Sequence, residues 1–575
     1  MVEKDQNQIR ETAEKYALQN ALNFEGKAEF KSVIGKVIGE LKKEGFSPKE
    51  ILPVVREVVK KVNQFSMDEQ RQRLKEINPS FFEKEEKKSC VISLPDLPDA
   101  AEGKVVTRFP PEPNGFLHIG HAKASIIDYE YACRYDGRFI LRFDDTNPEN
   151  AHEEFYEAQK EDLRWLGISW DEEYCTSDNL EKHYELAEQL IRQGDAYICR
   201  CKMEDIRRGR YRGECCECRE CDCEENLEDW KKMLDGSLDG VVLRLKGDMT
   251  CDNTAMRDPT LFRIIEKPHP RQGDKYRVWP TYDFAGAVED SLSGVTHPFR
   301  TKEYELRDEC YFRLLELLDV RKPYLMEFSR LSIEGMPVSK RKIKPLIEEG
   351  KVDGFDDPRL PTLRGLRRRG ITPDAIRKFV LSLGISKSES MVPFSLLESE
   401  NRKIIDPKAR RFFFVPNPVK LVVEDAPEKK EKLSYHPSNE EMGYRTVETG
   451  ENFYVSRDDA DSLSEGEVFR LKDLYNVRIN SCNEEIHGVY AGEELISDSA
   501  KIQWTTDEYI PFSVYVSRPL FKNDEFNPGS LEEVKGFVEK NILDAENDEI
   551  VQFERFGFVR IEKKDDEIKG FFAHK

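Results

Sequence analysis

Within a short stretch near residue 110 the chain changes character twice. An apolar run, Val105-Val-Thr-Arg-Phe109, enters a loop rich in proline and glycine, Pro110-Pro-Glu-Pro-Asn-Gly-Phe-Leu117. Helical text carrying His118 and His121 follows. Pro110, Pro111 and Pro113 stiffen the approach. Residues at i and i+3 share a helix face. Both imidazoles can therefore address one ligand over a helix N-terminus, where unpaired N–H groups and the helix dipole favour an anion such as phosphate. Gly120, between them, keeps that surface bare enough for a flat ring to approach the backbone. Phe139-Ile-Leu-Arg-Phe143 reads as the next strand, so the pattern predicts a βαβ unit with its ligand at the carboxyl ends of the strands.

A lone His-x-x-His pair more often marks a surface helix or half of a metal site. The whole run PPEPNGFLHIGH is more specific. It resembles the HIGH signature of class I aminoacyl-tRNA synthetases, in the form found in the glutamyl and glutaminyl branch. Such an enzyme needs a mobile cation for pyrophosphate, and Phe328-Ser-Arg330-Leu331 leads into Pro337-Val-Ser339-Lys340-Arg-Lys342, which resembles the family's KMSKS loop. Its first two positions are Pro and Val instead of Lys and Met, a variation known in this branch, and the Ser-Lys pair is retained. The resemblance runs from Lys104 to the end, and the N-terminal helices look like those of archaeal-type glutamyl enzymes.

The resemblance implies that ATP, with Mg²⁺, sits over the first signature. Glu112, Asn114, His118, Gly120, His121, Arg330, Leu331, Ser339 and Lys340 would be its contacts. His118, His121 and Lys340 would stabilise the charge that builds on the phosphoryl oxygens. Asp144, in Phe143-Asp144-Asp145-Thr, matches the ligand for the substrate ammonium, and Tyr282 a second amino-acid contact. Asp145 is the poorer candidate, because neighbours on a strand end face apart. Arg108 lies at the strand end, and Arg300 stands where glutaminyl enzymes look uncharged. An arginine offers a bidentate fork to a carboxylate, so the expected substrate is L-glutamate, transferred to tRNA(Glu), with tRNA(Gln) left open as a second acceptor. A glutaminyl-tRNA synthetase and a non-catalytic tRNA-binding paralogue are the alternatives.

Seven of the 13 cysteines lie between Cys199 and Cys223. Without an export signal this crowding reads as metal binding. Cys199 and Cys201 form one close pair, while Cys215, Cys216, Cys218, Cys221 and Cys223 compete for the second. The resemblance favours Cys216 and Cys218, and so a Zn²⁺ site on those four thiols.

A chain of 575 residues is too long for one core, and the expected class is multidomain α/β plus all-β. Residues 1–100 read as a helical N-terminal extension and linker. Within it Ser47-Pro-Lys-Glu50 has the form of a capping box and Lys84–Lys88 of a charged link. Residues 101–345 read as a Rossmann-like, doubly wound catalytic domain, with an insertion at about 195–275 for the metal site and the tRNA acceptor end. Residues 346–405 read as helical and 406–575 as β-barrels, and the resemblance implies that the first is a stem-contact domain and the second binds the anticodon. The net charge of −22 disfavours a polyanion partner taken alone. Local clusters at Arg200–Arg212, Lys340–Lys344 and Arg364–Arg369 can still meet tRNA. No window has the roughly 18 apolar residues of a membrane span. A cytoplasmic monomer is expected.

Overall fold

The computed structural model describes residues 2–23, 27–41, 46, 48–78, 94–336, 340–496, 499–523, 525–565 and 567–575. It divides into two compact units, Met1–Ser93 and Leu94–Lys575. The first holds helices Val2–Asn23, Phe30–Leu41, Pro48–Val62 and Met67–Ile77. Helical spacing puts Ile51, Val55, Val58, Val59 and Val62 on one face, and all are buried with Ala13, Ala17, Val33 and Val37. Among the described residues of this unit, Ser66 and Glu69 form a capping box. The one expected at Ser47, and the Lys84–Lys88 link, lie outside the described residues.

In the second unit, strands Val106–Phe109, Arg138–Phe143 and Glu172–Cys175 run parallel in that order. Helix Ile119–Arg134 crosses between the first two and buries Ile126, Ile127 and Tyr131. Beyond the first strand, the N–H groups of Thr296 and His297 donate to the Val106 carbonyl at 2.9 and 3.2 Å. The chain continues into Phe299–Thr301, parallel to Met326–Phe328. Leu331–Ile333 pairs in parallel with Ser390–Val392, a strand inside a stretch whose sequence reads as helical. Its Val392 packs into the same core as Leu331 and Ile333. Lys302–Arg307 winds as a tight 3₁₀ segment that lays Tyr304 on Tyr282, and helix Asp308–Leu317 follows it directly.

The insertion is a four-stranded antiparallel sheet, Ala196–Cys199, Val242–Leu245, Thr260–Ile264 and Val278–Pro280, with helices Met203–Arg212 and Cys223–Asp235. The C-terminal region forms two seven-strand sheets, each closed on itself. In one, the end strands Arg411–Phe412 and Phe414–Pro416 are separated only by Phe413. In the other, Lys501–Ile502 and Thr505–Thr506 are two residues apart. Consecutive residues at both ends of a strand order make a barrel, which leaves no free edge. Closure of the first depends on Gly536, where an added Cβ would lie 2.3 Å from the Val415 carbonyl oxygen. That barrel takes residues 411–416 and 509–574, so the other is inserted within it.

Candidate active site

The proline-rich loop ends at His118, which caps helix Ile119–Arg134. Its Nδ1 accepts from the Gly120 N–H at 3.1 Å, and Nδ1 of His121 accepts from the His118 N–H at 3.2 Å. The rings stack with centroids 3.8 Å apart. Each Nδ1 is an acceptor, so in the neutral ring the proton sits on Nε2. Burial holds the His118 pKa well below the usual value and lowers that of His121 to about 4, with Arg330 contributing to both. At neutral pH the pair is therefore two uncharged N–H donors held over a helix N-terminus.

Arg330 is exposed and paired with Glu303 at 2.9 Å, while Leu331 is buried with Leu117 and Ile119. Lys123 on the histidine helix donates to the Ser329 carbonyl at 2.7 Å, and burial lowers its pKa to about 8. The histidine helix therefore meets the segment that leads into the second signature through this bond and a shared core. Ser339 lies outside the described residues, and of Lys340 only the backbone is described, at the start of helix Lys340–Glu348. Glu112 and Asn114 hydrogen-bond each other, and Glu112 also takes Asn150 at 3.2 Å. Gly120 is half-buried.

Successive strand residues diverge. Phe109 meets the His121 ring edge-on, while Arg108 enters a buried ionic network. Arg108 donates to both carboxylate oxygens of Asp290, at 2.9 and 3.2 Å, and to the Phe299 carbonyl at 2.8 Å. Arg142 donates to Asp290 at 2.8 Å and to Asp144 at 2.9 Å. Asp144 also accepts from Thr176 at 2.9 Å and keeps 18% of its side chain exposed. Asp145 instead accepts from Ser177 and Tyr156 and is fully buried, its pKa raised to about 6 by burial.

Arg300 completes the network differently. It is 5% exposed, its nearest carboxylate oxygens among the described residues are 3.8 Å (Asp308) and 4.0 Å (Asp290) away, and Nε has no hydrogen-bond partner among them. It lies 4.0 Å from the Tyr311 ring centre and 5.6 Å from that of Tyr282. Burial raises the Tyr282 pKa to about 12, so its hydroxyl stays protonated. Gly286 faces Arg300 and Tyr282, and a Cβ there would meet both at 3.8 Å. Arg108, Asp144, Tyr282 and Arg300 thus lie in one network joined by Arg142 and Asp290. These two joining residues, with Lys123, were not found from sequence. The adjacent acids Glu289-Asp290 do not stand out, because helix Tyr282–Leu292 already carries Asp283.

Among the described residues, Cys199, Cys201, Cys216 and Cys218 form one close group, with sulfurs within 4.8 Å of one another. Cys199–Cys216 and Cys201–Cys218 are separated by 3.8 and 3.9 Å. Thiolates about 2.3 Å from a tetrahedral zinc lie about 3.8 Å apart, whereas a disulfide needs about 2.05 Å. The donor set therefore fits a tetrahedral metal ion. The buried Arg244 approaches Cys199 and Cys216 at 3.7 and 3.9 Å. The Arg364–Arg369 cluster is divided: Arg369 is buried on Glu398, Arg368 is half-buried against Glu562 of the barrel, Arg364 is half-buried beside Glu161, and Arg367 is exposed. No helix of the described residues is long and apolar enough to cross a membrane.

A parallel sheet with donor imidazoles at its first βα turn, followed by two closed barrels, is the architecture of a class I aminoacyl-tRNA synthetase. A family model described as tRNA synthetases class I (E and Q), catalytic domain, matches residues 104–407, and anti-codon binding domains of the same class match 409–492 and 501–562. Similar proteins include glutamate–tRNA ligases of Nitrosopumilus maritimus (45% identical, 99% of this chain and 100% of that one) and Cenarchaeum symbiosum (44%, 98% and 99%). The glutamate–tRNA ligase of Pyrococcus furiosus is 44% identical, over 99% of this chain and 100% of that one. The chain belongs to the class I (E and Q) tRNA synthetase family.

Proposed function

We propose that the chain is a glutamate–tRNA ligase, which activates L-glutamate with ATP to glutamyl-adenylate and transfers the glutamyl group to the 3′ end of tRNA(Glu). Arg300 carries the reading. A buried guanidinium without a close carboxylate is costly, and a side-chain carboxylate seated on its fork offsets that cost. Asp290 is already engaged by Arg108 and Arg142, so a substrate anion is the natural partner. A glutamine amide brings no charge and leaves the arginine uncompensated.

In this reading the open edge of Asp144, with Tyr282, receives the ammonium, and Arg108 fixes Asp290 beside Arg300. The glutamate α-carboxylate oxygen forms a bond to the α-phosphorus of ATP as the bond to the bridging oxygen breaks and pyrophosphate leaves. No proton moves, so the Nε2–H donors of His118 and His121 and the Lys340 ammonium act by stabilising charge. Glu112, Asn114, Gly120, Arg330, Leu331 and Ser339 frame the nucleotide, which brings Mg²⁺. Cys199, Cys201, Cys216 and Cys218 would hold Zn²⁺, which supplies a cross-link that pins the insertion. The insertion meets the acceptor end, the helices of 346–405 meet the stem, and the barrels meet the anticodon through stacking and base edges.

Charging of purified tRNA(Glu) and tRNA(Gln) with labelled glutamate or glutamine tests this. Glutamate is expected to be the substrate, and Arg300→Cys to lose about 2–5 kcal/mol of kcat/KM as a buried charge contact disappears. Glutamine charging, or a mild Arg300→Cys, would point to the glutaminyl enzyme instead.

A further inference from the structure

The loop that delivers His118 and His121 has no regular secondary structure between Pro110 and Leu117, yet its backbone must find partners. Three of them come from one helix, Glu153–Trp165, beside backbone bonds from Asp144 to Pro111 and from Leu363 to Leu117. Gln159 donates both amide hydrogens into the loop, to the Glu112 carbonyl at 3.0 Å and the Gly115 carbonyl at 2.8 Å. Asp162, three residues on and so on the same face, accepts from the Leu117 N–H at 3.3 Å. At the helix start, His152 N–H donates to the Pro113 carbonyl at 3.0 Å. Gln159 and Asp162 are 1% and 5% exposed.

Two details separate this clamp from ordinary core polarity. The Gln159 Oε1 is buried without a hydrogen-bond partner among the described residues. An unsatisfied buried acceptor costs free energy, and what the residue gains there is two donors to the loop. Asp162 is backed by Arg364, whose Nε lies 3.5 Å from Oδ1 and whose guanidinium covers the Phe116 ring at 4.4 Å. Phe116 in turn packs edge-on against Phe155 of the same helix, at 5.3 Å. Loop backbone and loop side chain are gripped together, immediately before the residue that caps the histidine helix.

We propose that Gln159 and Asp162 are positioning residues that hold the 112–117 loop, and through it the two imidazole donors, where charge develops on the transferred phosphoryl group. This rests on the ligase reading. Displacing a donor by about 1 Å costs about 100-fold in rate, so the signature in kinetics is a fall in kcat without a change in the KM for glutamate.

The test uses the full chain with tRNA(Glu), comparing Gln159→Met, which removes both donors at similar length, with Asp162→Ala and Asp162→Asn. Readouts are kcat and KM of glutamate-dependent ATP–pyrophosphate exchange per titrated active site, thermal unfolding, and the ring signals of ¹⁵N-labelled histidine. Gln159→Met and Asp162→Ala are expected to lower kcat about 10- to 100-fold, leave the KM for glutamate in place and move the His118 and His121 signals. Asp162→Asn keeps an acceptor for Leu117 and stays nearer the parent. Variants that melt earlier but keep kcat per site and both histidine signals would overturn the proposal. If the parent itself shows no exchange with glutamate, the ligase reading fails, and the histidine signals still decide whether the clamp holds the imidazoles.

Discussion

Two imidazoles can stabilise phosphoryl charge as cations or as neutral donors, and the choice here is made by burial. Both rings accept a backbone N–H at Nδ1, and His121 titrates only at about 4. A folded pKa below the unfolded value means that neutral His121 contributes stability above about pH 6.5, and that this is lost as pH falls toward 4. In a ¹⁵N-histidine spectrum of this nine-histidine chain, the two rings are expected as Nε2–H tautomers with no protonation between pH 8 and about 5. Titration of either ring near 6.5 would contradict the stacked, half-buried geometry. Asp290 makes the complementary case. The charge of Arg108, with those of Arg142 and Arg300, holds its carboxyl far below the usual range despite complete burial. Asp290→Asn leaves arginines buried without their counter-ion, and a loss of about 3–5 kcal/mol is expected in denaturant unfolding. Arg108 and Arg300 could be singled out from their neighbours in the sequence. Asp290 could not, because its partner Arg108 is 182 residues away and no local pattern records that contact.

At the scale of elements, two devices decide local order. Barrel closure relies on a backbone approach that only glycine allows, since a Cβ at Gly536 would strike the Val415 carbonyl at 2.3 Å and the Phe414 ring at 2.8 Å. Gly536→Ala is expected to cost about 1–3 kcal/mol through overpacking, read as a lower unfolding midpoint. A neutral result would mean that the strand ends are not joined there. The insertion relies on thiols instead. With its metal removed by a chelator, or with Cys216→Ser, protease sensitivity is expected to rise within residues 199–223. Unchanged cleavage and no bound zinc by elemental analysis would remove the metal from the account. Here sequence reading was ambiguous for a physical reason. Five cysteines compete for the second pair, and spacing alone does not say which sulfurs lie at a tetrahedral edge. The same limit applies to Ser390–Val392, whose three extended residues become a strand only because Leu331–Ile333 offers an edge.

At the scale of the molecule, the candidate chemistry falls within one compact unit. The imidazole pair, the arginine network and the thiol cluster all belong to Leu94–Lys575. A chain beginning at Leu94 is expected to retain tRNA-dependent, glutamate-supported ATP–pyrophosphate exchange, and loss of that exchange with the remainder folded would assign the helical unit a part in the chemistry. The acidity of the chain, −22 overall, does not set where tRNA binds, and within one run of basic residues Arg369 is buried on Glu398 while Arg367 is exposed. By itself the sequence determined what is written locally: the phosphate-facing loop and helix, the helical periodicity of the first unit, the short alternating strands of the last third and the crowd of thiols. Tertiary structure decided what depends on distance in space. It selected four sulfurs from seven, hydrogen-bonded Asp290 to two arginines while holding a third at 4.0 Å, closed both barrels on themselves, and set Gln159 and Asp162 beneath the histidine loop. Spacing along a chain fixes only which face a side chain takes, whereas a buried charge or donor finds its partner wherever the packed fold brings one.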